Sequence, residues 1–561
     1  MKYSDGLKPV TRRKFLKISL TAGAGIMAGC SVRNRFDIII SGGQLIDGSG
    51  KPGRKLDLGI RRGRITALGD LQNASADHIL DARERVVSPG FIDIHTHTDT
   101  ELLVNPRAES KIRQGITTEV SGNCGYSPFP LTEEDSRELA ERLQEEYGLP
   151  AQWTDISGFL AAIEKKGTAL NYVTFTGHGN LRAAVVGKND VAPTAEQLRR
   201  MKMLLQESME SGSFGLSTGL EYAPGSYAET DELIALCETV AQQNGLYSTH
   251  MRNEDDRVEE AIEEALQISR KSGVNLQISH LKACNQNNWH KVDHMLEMIH
   301  TAAEQGLPVA ADRYPYNAWS TGLSSFLPLW ARQGETEEVL ERLRNPGDLP
   351  KIREYTEGRG RKIGGWERVV IANCSLEEHY SYEGKSIAEC SEITSQEPFA
   401  FIRDLLIAER ARVSVIGFAM NEDNLKKVLA SPLVSIGSDG SAVSPYGPLG
   451  EGKPHPRFYG TFPRVLGKYC REEKVFDLPT AIHKITRLPA RKLGLQERGE
   501  LIDGYHADVV IFDPKTVIDK ATFTNPHQYP DGIEYVIVNG KIVIDRAQHT
   551  DALPGQVIRH A

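Results

Sequence analysis

Cysteine is sparse in this chain: seven residues among 561, and the six beyond Cys30 (Cys124, Cys237, Cys284, Cys374, Cys390 and Cys470) are scattered without tight spacing. That excludes a disulfide framework and leaves one bridge, Cys374 with Cys390, as an open pairing. Basic tracts are missing as well. The net charge of -9 rules against a nucleic-acid surface, which needs clustered Lys and Arg to neutralise phosphates. Past residue 30 no apolar run approaches the ~18 residues of a membrane span. No strand-like segment is followed by G-x-G-x-x-G, which weakens a dinucleotide-binding reading, and "GHGNLRAAVVGKND" (177–190) lacks the P-loop spacing.

What is present is a chain of ordinary globular composition, 40% hydrophobic and 25% charged, long enough for a large core with a smaller companion domain. Residues 1–30 differ in kind. "TRRKFLK" (11–17) carries the arginine pair of a twin-arginine export signal, followed by the weakly apolar "ISLTAGAGIMAG" and Cys30. "IMAGC" resembles a lipoprotein processing site. The expectation is export to the periplasm or cell envelope, with a lipid anchor through Cys30. In an oxidising compartment the free thiol of Cys124, in "VSGNCG", needs a separate reason to exist.

From residue 36, short β-rich segments separated by glycine turns recur, and similar ones return in "ADVVIFDP" (507–514) and "IEYVIVNGKIVID" (533–545), the latter with an Asn-Gly hairpin turn. Residues 36–90 and 490–561 are therefore read as one small β-sandwich-like domain. Between them, eight strand candidates (91–97, 117–123, 172–178, 214–218, 246–251, 275–281, 308–314 and 433–439) alternate with helical patterns such as 195–211 and 258–272. Eight alternations are the count of a (β/α)8 barrel. The barrel is placed at 91–489 in an α/β fold, with an inserted helical subdomain at 320–412 after the seventh strand. A doubly wound sheet is the competing architecture.

Metal-binding side chains gather at the C-terminal ends of these strands, the face on which barrel enzymes keep their active sites. His95 and His97 are two apart on the first strand, so both point to one side. The second strand ends in Cys124, the fifth in His250, the sixth in His280 and the eighth in Asp439. Imidazole, thiolate and carboxylate together suit zinc, whereas magnesium or calcium would select oxygen ligands. Five strand ends carry more ligands than one tetrahedral ion uses, and a thiolate can bridge two metals. Coordination would also protect Cys124 from oxidation.

"PGFIDIHTHTD", "GITTEVSGNCG", "GLSTGLEY", "STHMR", "ISHLK", "IGSDG" and "HPRFYGTFPRVLG" occur in order from about residue 36 to the C-terminus. In these motifs the chain resembles the D-aminoacylases, the N-acyl-D-amino-acid deacylases of the amidohydrolase superfamily. The resemblance implies a tight zinc on Cys124, His250 and His280, and a second, weaker position on His95, His97 and Asp439 sharing Cys124. It implies hydrolysis of a linear amide: the metal lowers the pKa of water towards about 7 and polarises the carbonyl, and Asp439 carries a proton to the leaving nitrogen. Lys282, two residues after His280 on the same strand direction, Tyr314 and Arg457 would bind the α-carboxylate of a small N-acyl amino acid.

Three other readings stay open at this point. "GLSTG" (215–219) matches the G-x-S-x-G of a serine hydrolase with Ser217 as nucleophile, although proline and glycine follow where the elbow should open a helix. A cyclic amidase such as a dihydroorotase lacks its bridging lysine here. An anchored, non-catalytic binding protein could use the same barrel. His178 is assigned a supporting role, and His290 and His294 a solvated helix face. The preferred acyl group and oligomeric state are not encoded in any motif.

Overall fold

The computed structural model describes residues 35–560, so the expected export signal at 1–30, with Cys30, lies outside the described residues. The eight barrel strands are Phe91–Asp93, Ile116–Ser121, Asn171–Thr174 with its continuation Thr176–Gly177, Gly215–Gly219, Leu246–His250, Asn275–Ile278, Val309–Arg313 and Val434–Ile436. Every pairing between neighbours is parallel. The eighth strand returns to the first through a parallel bridge between Thr96 and Gly440, with the Asp439 N–H donating to the His95 carbonyl at 2.8 Å. The ring is closed, and the doubly wound alternative falls.

The strands are shorter than their sequence pattern. The first stops at Asp93, before both histidines, because residues 95–97 divide their backbone hydrogen bonds between the second and eighth strands. Helices form the outer layer where the apolar spacing predicts them. Ala195–Glu210 opens on a Thr194/Gln197 capping box, and Val258–Ser272 closes on the left-handed Gly273. The barrel interior is partly polar: Lys111 and Asp93, both fully buried, pair at 3.0 Å.

Strands from both ends of the chain build the companion domain. Four N-terminal strands make one sheet. In the other, Val509–Phe512 pairs with Val86–Pro89 on one side and with Ile533–Val538 on the other. Ile38, Ile60, Val509 and Ile537 pack together in the shared core. The Asn539–Gly540 turn has both residues at positive φ (48° and 75°), as a type I′ hairpin requires. The helix Arg487–Leu493 runs across the expected boundary at 490.

The insertion after the seventh barrel strand is not purely helical. Trp319–Gly322, Val369–Asn373 and Ser414–Gly417 form a three-stranded antiparallel sheet packed with four helices around its own core, including Leu340, Ile352, Ile371 and Ile402. Runs of four or five apolar residues between long helices lack a period that would separate them from helix. The insertion docks on the barrel mouth through Arg359 to Asp255 (2.9 Å) and Lys362 to Asp256 (2.5 Å). All six described cysteines are free thiols, so the Cys374–Cys390 bridge is not formed. No helix among the described residues is long and apolar enough to cross a membrane.

Candidate metal centre

The turn "VSGNCG" follows the second strand and is packed so tightly that glycine is required at two of its positions. A Cβ on Gly122 would come within 2.3 Å of the Phe175 carbonyl oxygen, and one on Gly125 within 2.5 Å of the Gly219 nitrogen. Cys124 itself takes a left-handed backbone (φ 52°), as do His280 (35°) and Asp439 (52°). For a non-glycine residue this conformation costs about 1–2 kcal/mol. Three of the residues expected to hold metal are thus bent out of strand alternation, each at the end of a different strand. The surrounding hydrogen bonds hold them there: Asn123 Nδ2 donates to the Val120 carbonyl (3.0 Å), and the His280 N–H to Asp312 (2.8 Å).

This bending brings all six residues together in two clusters that share one sulfur. His95, His97, Cys124 and Asp439 form one, and Cys124, His250 and His280 the other, with ligand atoms within 4.8 Å of one another in each. Cys124 Sγ is 3.4 Å from Nε2 of both His95 and His280. Asp439 Oδ1 is 3.0 Å from His97 Nε2 and 3.6 Å from His95 Nε2.

The donor set fits zinc by chemistry and by what its atoms lack. Both ring nitrogens of buried His250 have no hydrogen-bond partner, a condition rare in native interiors unless an ion or water completes it. Burial opposes a thiolate at Cys124, but the charges of His95 and His280 outweigh it and hold the thiol well below its ordinary value. Burial likewise opposes charge on His97 and His250, yet hydrogen bonds to Asp439 and Cys124 push His97 up to about 9, and Glu254 with Cys124 pushes His250 up to about 10.

Two carboxylates complete the centre that the motif reading missed. Glu254 Oε1 is 2.9 Å from His280 Nδ1 and 2.6 Å from Lys282 Nζ. Asp312 Oδ1 is 3.2 Å from His95 Nδ1. Such carboxylates orient the ring of a metal-binding histidine and raise its basicity. Asp312 was available to alternation, two residues before Tyr314 on the seventh strand. Glu254 was not, because the loop after the fifth strand has no period.

Lys282, Tyr314 and Arg457 line the same cavity of about 950 Å³ as His97, Cys124 and Asp439. Lys282 does not arrive by strand alternation as expected, since the strand ends at Ile278; the left-handed turn at His280 folds its ammonium back to 2.9 Å from His280 Nδ1. The buried Tyr314 hydroxyl has no partner. Arg457 stacks over the Tyr314 ring at 4.7 Å, and its Nη1 lies 2.8 Å from Asp439 Oδ2, an ion pair without hydrogen-bond alignment.

The remaining candidates fall elsewhere. Ser217 is fully buried, donating to the Gly122 carbonyl and accepting from the Gly125 N–H, with no histidine bonded to it, so the serine-hydrolase reading loses its nucleophile. His178 pairs with Glu232 at 2.8 Å. His290 and His294 stand on separate helical elements, and His294 meets Glu259 at 2.7 Å.

The chain is similar to known proteins along most of its length. The profile of the Amidohydrolase family matches residues 365–544. The chain is 37% identical to a D-aminoacylase of Alcaligenes xylosoxydans xylosoxydans over 93% of its own length and 97% of the relative's. It is 36% identical to an N-acyl-D-glutamate deacylase of the same organism, covering 94% and 97%. A crystal structure of N-acyl-D-glutamate deacylase from Bordetella bronchiseptica, complexed with zinc and a phosphonate mimic of the tetrahedral intermediate, superposes with a TM-score of 0.79 at 36% identity, covering 94% of this chain and 100% of that one.

Proposed function

Since the chain belongs to the D-aminoacylase family of amidohydrolases, we propose that it hydrolyses the amide bond of N-acyl-D-amino acids with zinc, releasing a carboxylic acid and a free D-amino acid. The observation that carries this reading is the single thiolate position, Cys124, common to two clusters of metal-binding side chains. Cys124, His250 and His280 would hold the tighter zinc, and His95, His97 and Asp439 the second position. When bound, zinc supplies Lewis acidity towards the amide carbonyl and lowers the pKa of water.

The chain's own groups do the rest. Arg457, Lys282 and the unpartnered Tyr314 hydroxyl converge on a space that suits a planar carboxylate, and anchoring the substrate there orients the amide over Cys124. Asp439 takes a proton from the attacking water at Oδ1 or Oδ2 and delivers it to the departing nitrogen, which is a poor leaving group until protonated. Glu254 and Asp312 keep His280 and His95 in one orientation throughout. The twin-arginine stretch at 11–17 and Cys30 support placing this reaction in the cell envelope, anchored by lipid.

The test is metal analysis of the purified protein together with amine release from paired N-acetyl-D- and N-acetyl-L-amino acids. Zinc content that tracks activity, with release confined to the D series, is expected. Absence of amine release from every acyl amino acid would favour a binding protein instead. Full activity after removal of metal would refute the mechanism.

A further inference from the structure

Arg35 opens the strand Arg35–Ser41 of the companion domain, and its carbonyl accepts from Arg61 Nε at 3.0 Å. Arg61 leads into the hairpin turn that ends at Arg64. This turn is wedged against the Asn539–Gly540 turn: the Gly63 carbonyl accepts from the Ala507 N–H, and the Ala507 carbonyl from the Gly540 N–H, both at 2.9 Å. Asn539 Nδ2 in turn donates to Asn171 Oδ1 at 2.8 Å, and Asn171 is the first residue of the third barrel strand. The chain therefore enters the fold beside the N-terminal rim of the barrel. The metal centre sits at the opposite ends of the strands, ~20 Å away at ~3.3 Å per residue.

The entry point is rich in arginine. Arg35, Arg61, Arg62 and Arg64 share this strand end and turn, Arg35 and Arg62 exposed, and Arg33 stands two positions earlier in the sequence. The carboxylates beside them are fewer: Asp77 pairs with Arg35, Glu497 with Arg64, and Asp37 accepts from the Arg62 N–H at 2.6 Å. Cys30 precedes Arg35 by five residues, a separation that even an extended chain spans in at most ~18 Å. A lipid on Cys30 would hold the arginine tip within that reach of the headgroups, where basic side chains are drawn to anionic lipid. We infer that this tip rests on the anionic phospholipid surface that carries the anchor, so that the barrel mouth opens away from the bilayer and takes N-acyl amino acids from the aqueous side. This rests on the lipid-anchored placement proposed above and not on the hydrolytic chemistry.

The test uses the native tryptophans. All five, Trp153, Trp289, Trp319, Trp330 and Trp366, lie in segments that follow C-terminal strand ends, on the side of the mouth. The full chain, purified with its N-terminal lipid, is added to preformed vesicles of phosphatidylethanolamine and phosphatidylglycerol doped with a headgroup-nitroxide lipid, which quenches emission at the bilayer surface. Ser75→Trp places a reporter at an exposed position in register with Arg35; Asp77→Trp serves if that variant fails to fold. Wild-type emission is expected to be unchanged by the nitroxide and the reporter's added emission to be lost. Salt at about 1 M, where the Debye length contracts from ~10 to ~3 Å, should restore the reporter while the protein still floats with the vesicles. Quenching of the native tryptophans with the reporter unaffected would reverse the orientation and overturn the inference. A floated protein with neither quenched would overturn it too, showing a tether without a seated face. A chain that carries no lipid by mass spectrometry and does not float would remove the anchored placement and this inference together, leaving the deacylase reading in place.

Discussion

Arg457 Nη1 lies 2.8 Å from Asp439 Oδ2, so the cation expected to bind the substrate's carboxylate is already paired with the carboxylate expected to move the proton. Burial opposes charge on Asp439, but Arg457 and then His97 outweigh it and hold the group well below the usual carboxylate range. In the proposed mechanism substrate binding and proton transfer would draw on this one guanidinium, which would couple the two steps.

Replacing this arginine should therefore affect both. Arg457→Ala leaves Asp439 buried without its cation, and truncating one member of such a pair typically costs about 2–5 kcal/mol. kcat/KM for an N-acyl-D-amino acid is expected to fall about 10²-fold or more, with KM raised and kcat lowered. Steady-state kinetics showing a change under threefold would mean that neither role is correct.

Cys124→Ser removes the one atom that both clusters share. A serine hydroxyl stays protonated and is a harder, weaker zinc ligand. The variant should lose zinc from both positions in metal analysis, beyond the ~10–100-fold weakening that follows loss of an outer partner. Retention of one full equivalent would show that the sulfur is not the bridge.

Glu254→Gln keeps the shape but removes the charge facing His280 and Lys282. Zinc affinity is expected to drop about 10–100-fold. KM should shift as well, since Lys282 loses its counter-charge. Competition titration with a chelating dye reads the first effect and kinetics the second; if neither moves, Glu254 does not position this centre.

Zinc uptake should release protons. His97 and His250 are raised to about 9 and about 10 without metal and must be neutral to coordinate. Apparent affinity then rises with pH until these values are passed. Calorimetry in buffers of different ionisation enthalpy counts the protons displaced. The sign for the metal-free fold is opposite: groups raised above their unfolded value of about 6.5 stabilise fully below that pH, and their contribution is lost as pH climbs through about 9 and 10. Thermal melts of stripped protein that improve over this window would contradict the assignment.

Ser217→Ala should leave activity within a few-fold, because the hydroxyl serves two backbone groups. Its loss costs on the order of 1 kcal/mol of stability. A folded, zinc-replete variant with no activity would revive the serine reading.

The order of strands, the kinds of ligand and the face on which they gather follow from local pattern alone, because alternation, helix spacing and the chemistry of imidazole and thiolate are properties of short segments. Which atoms meet was decided by the tertiary structure. The strand that pattern extends to 97 stops at Asp93, short of His95 and His97, and Lys282 is aimed by a left-handed turn at His280 rather than by alternation. Glu254 reaches His280 from a loop with no period, and the insertion's sheet forms only where Trp319–Gly322 finds Ser414–Gly417 ninety-odd positions away. Barrel closure sets these distances, and no interval of sequence contains it.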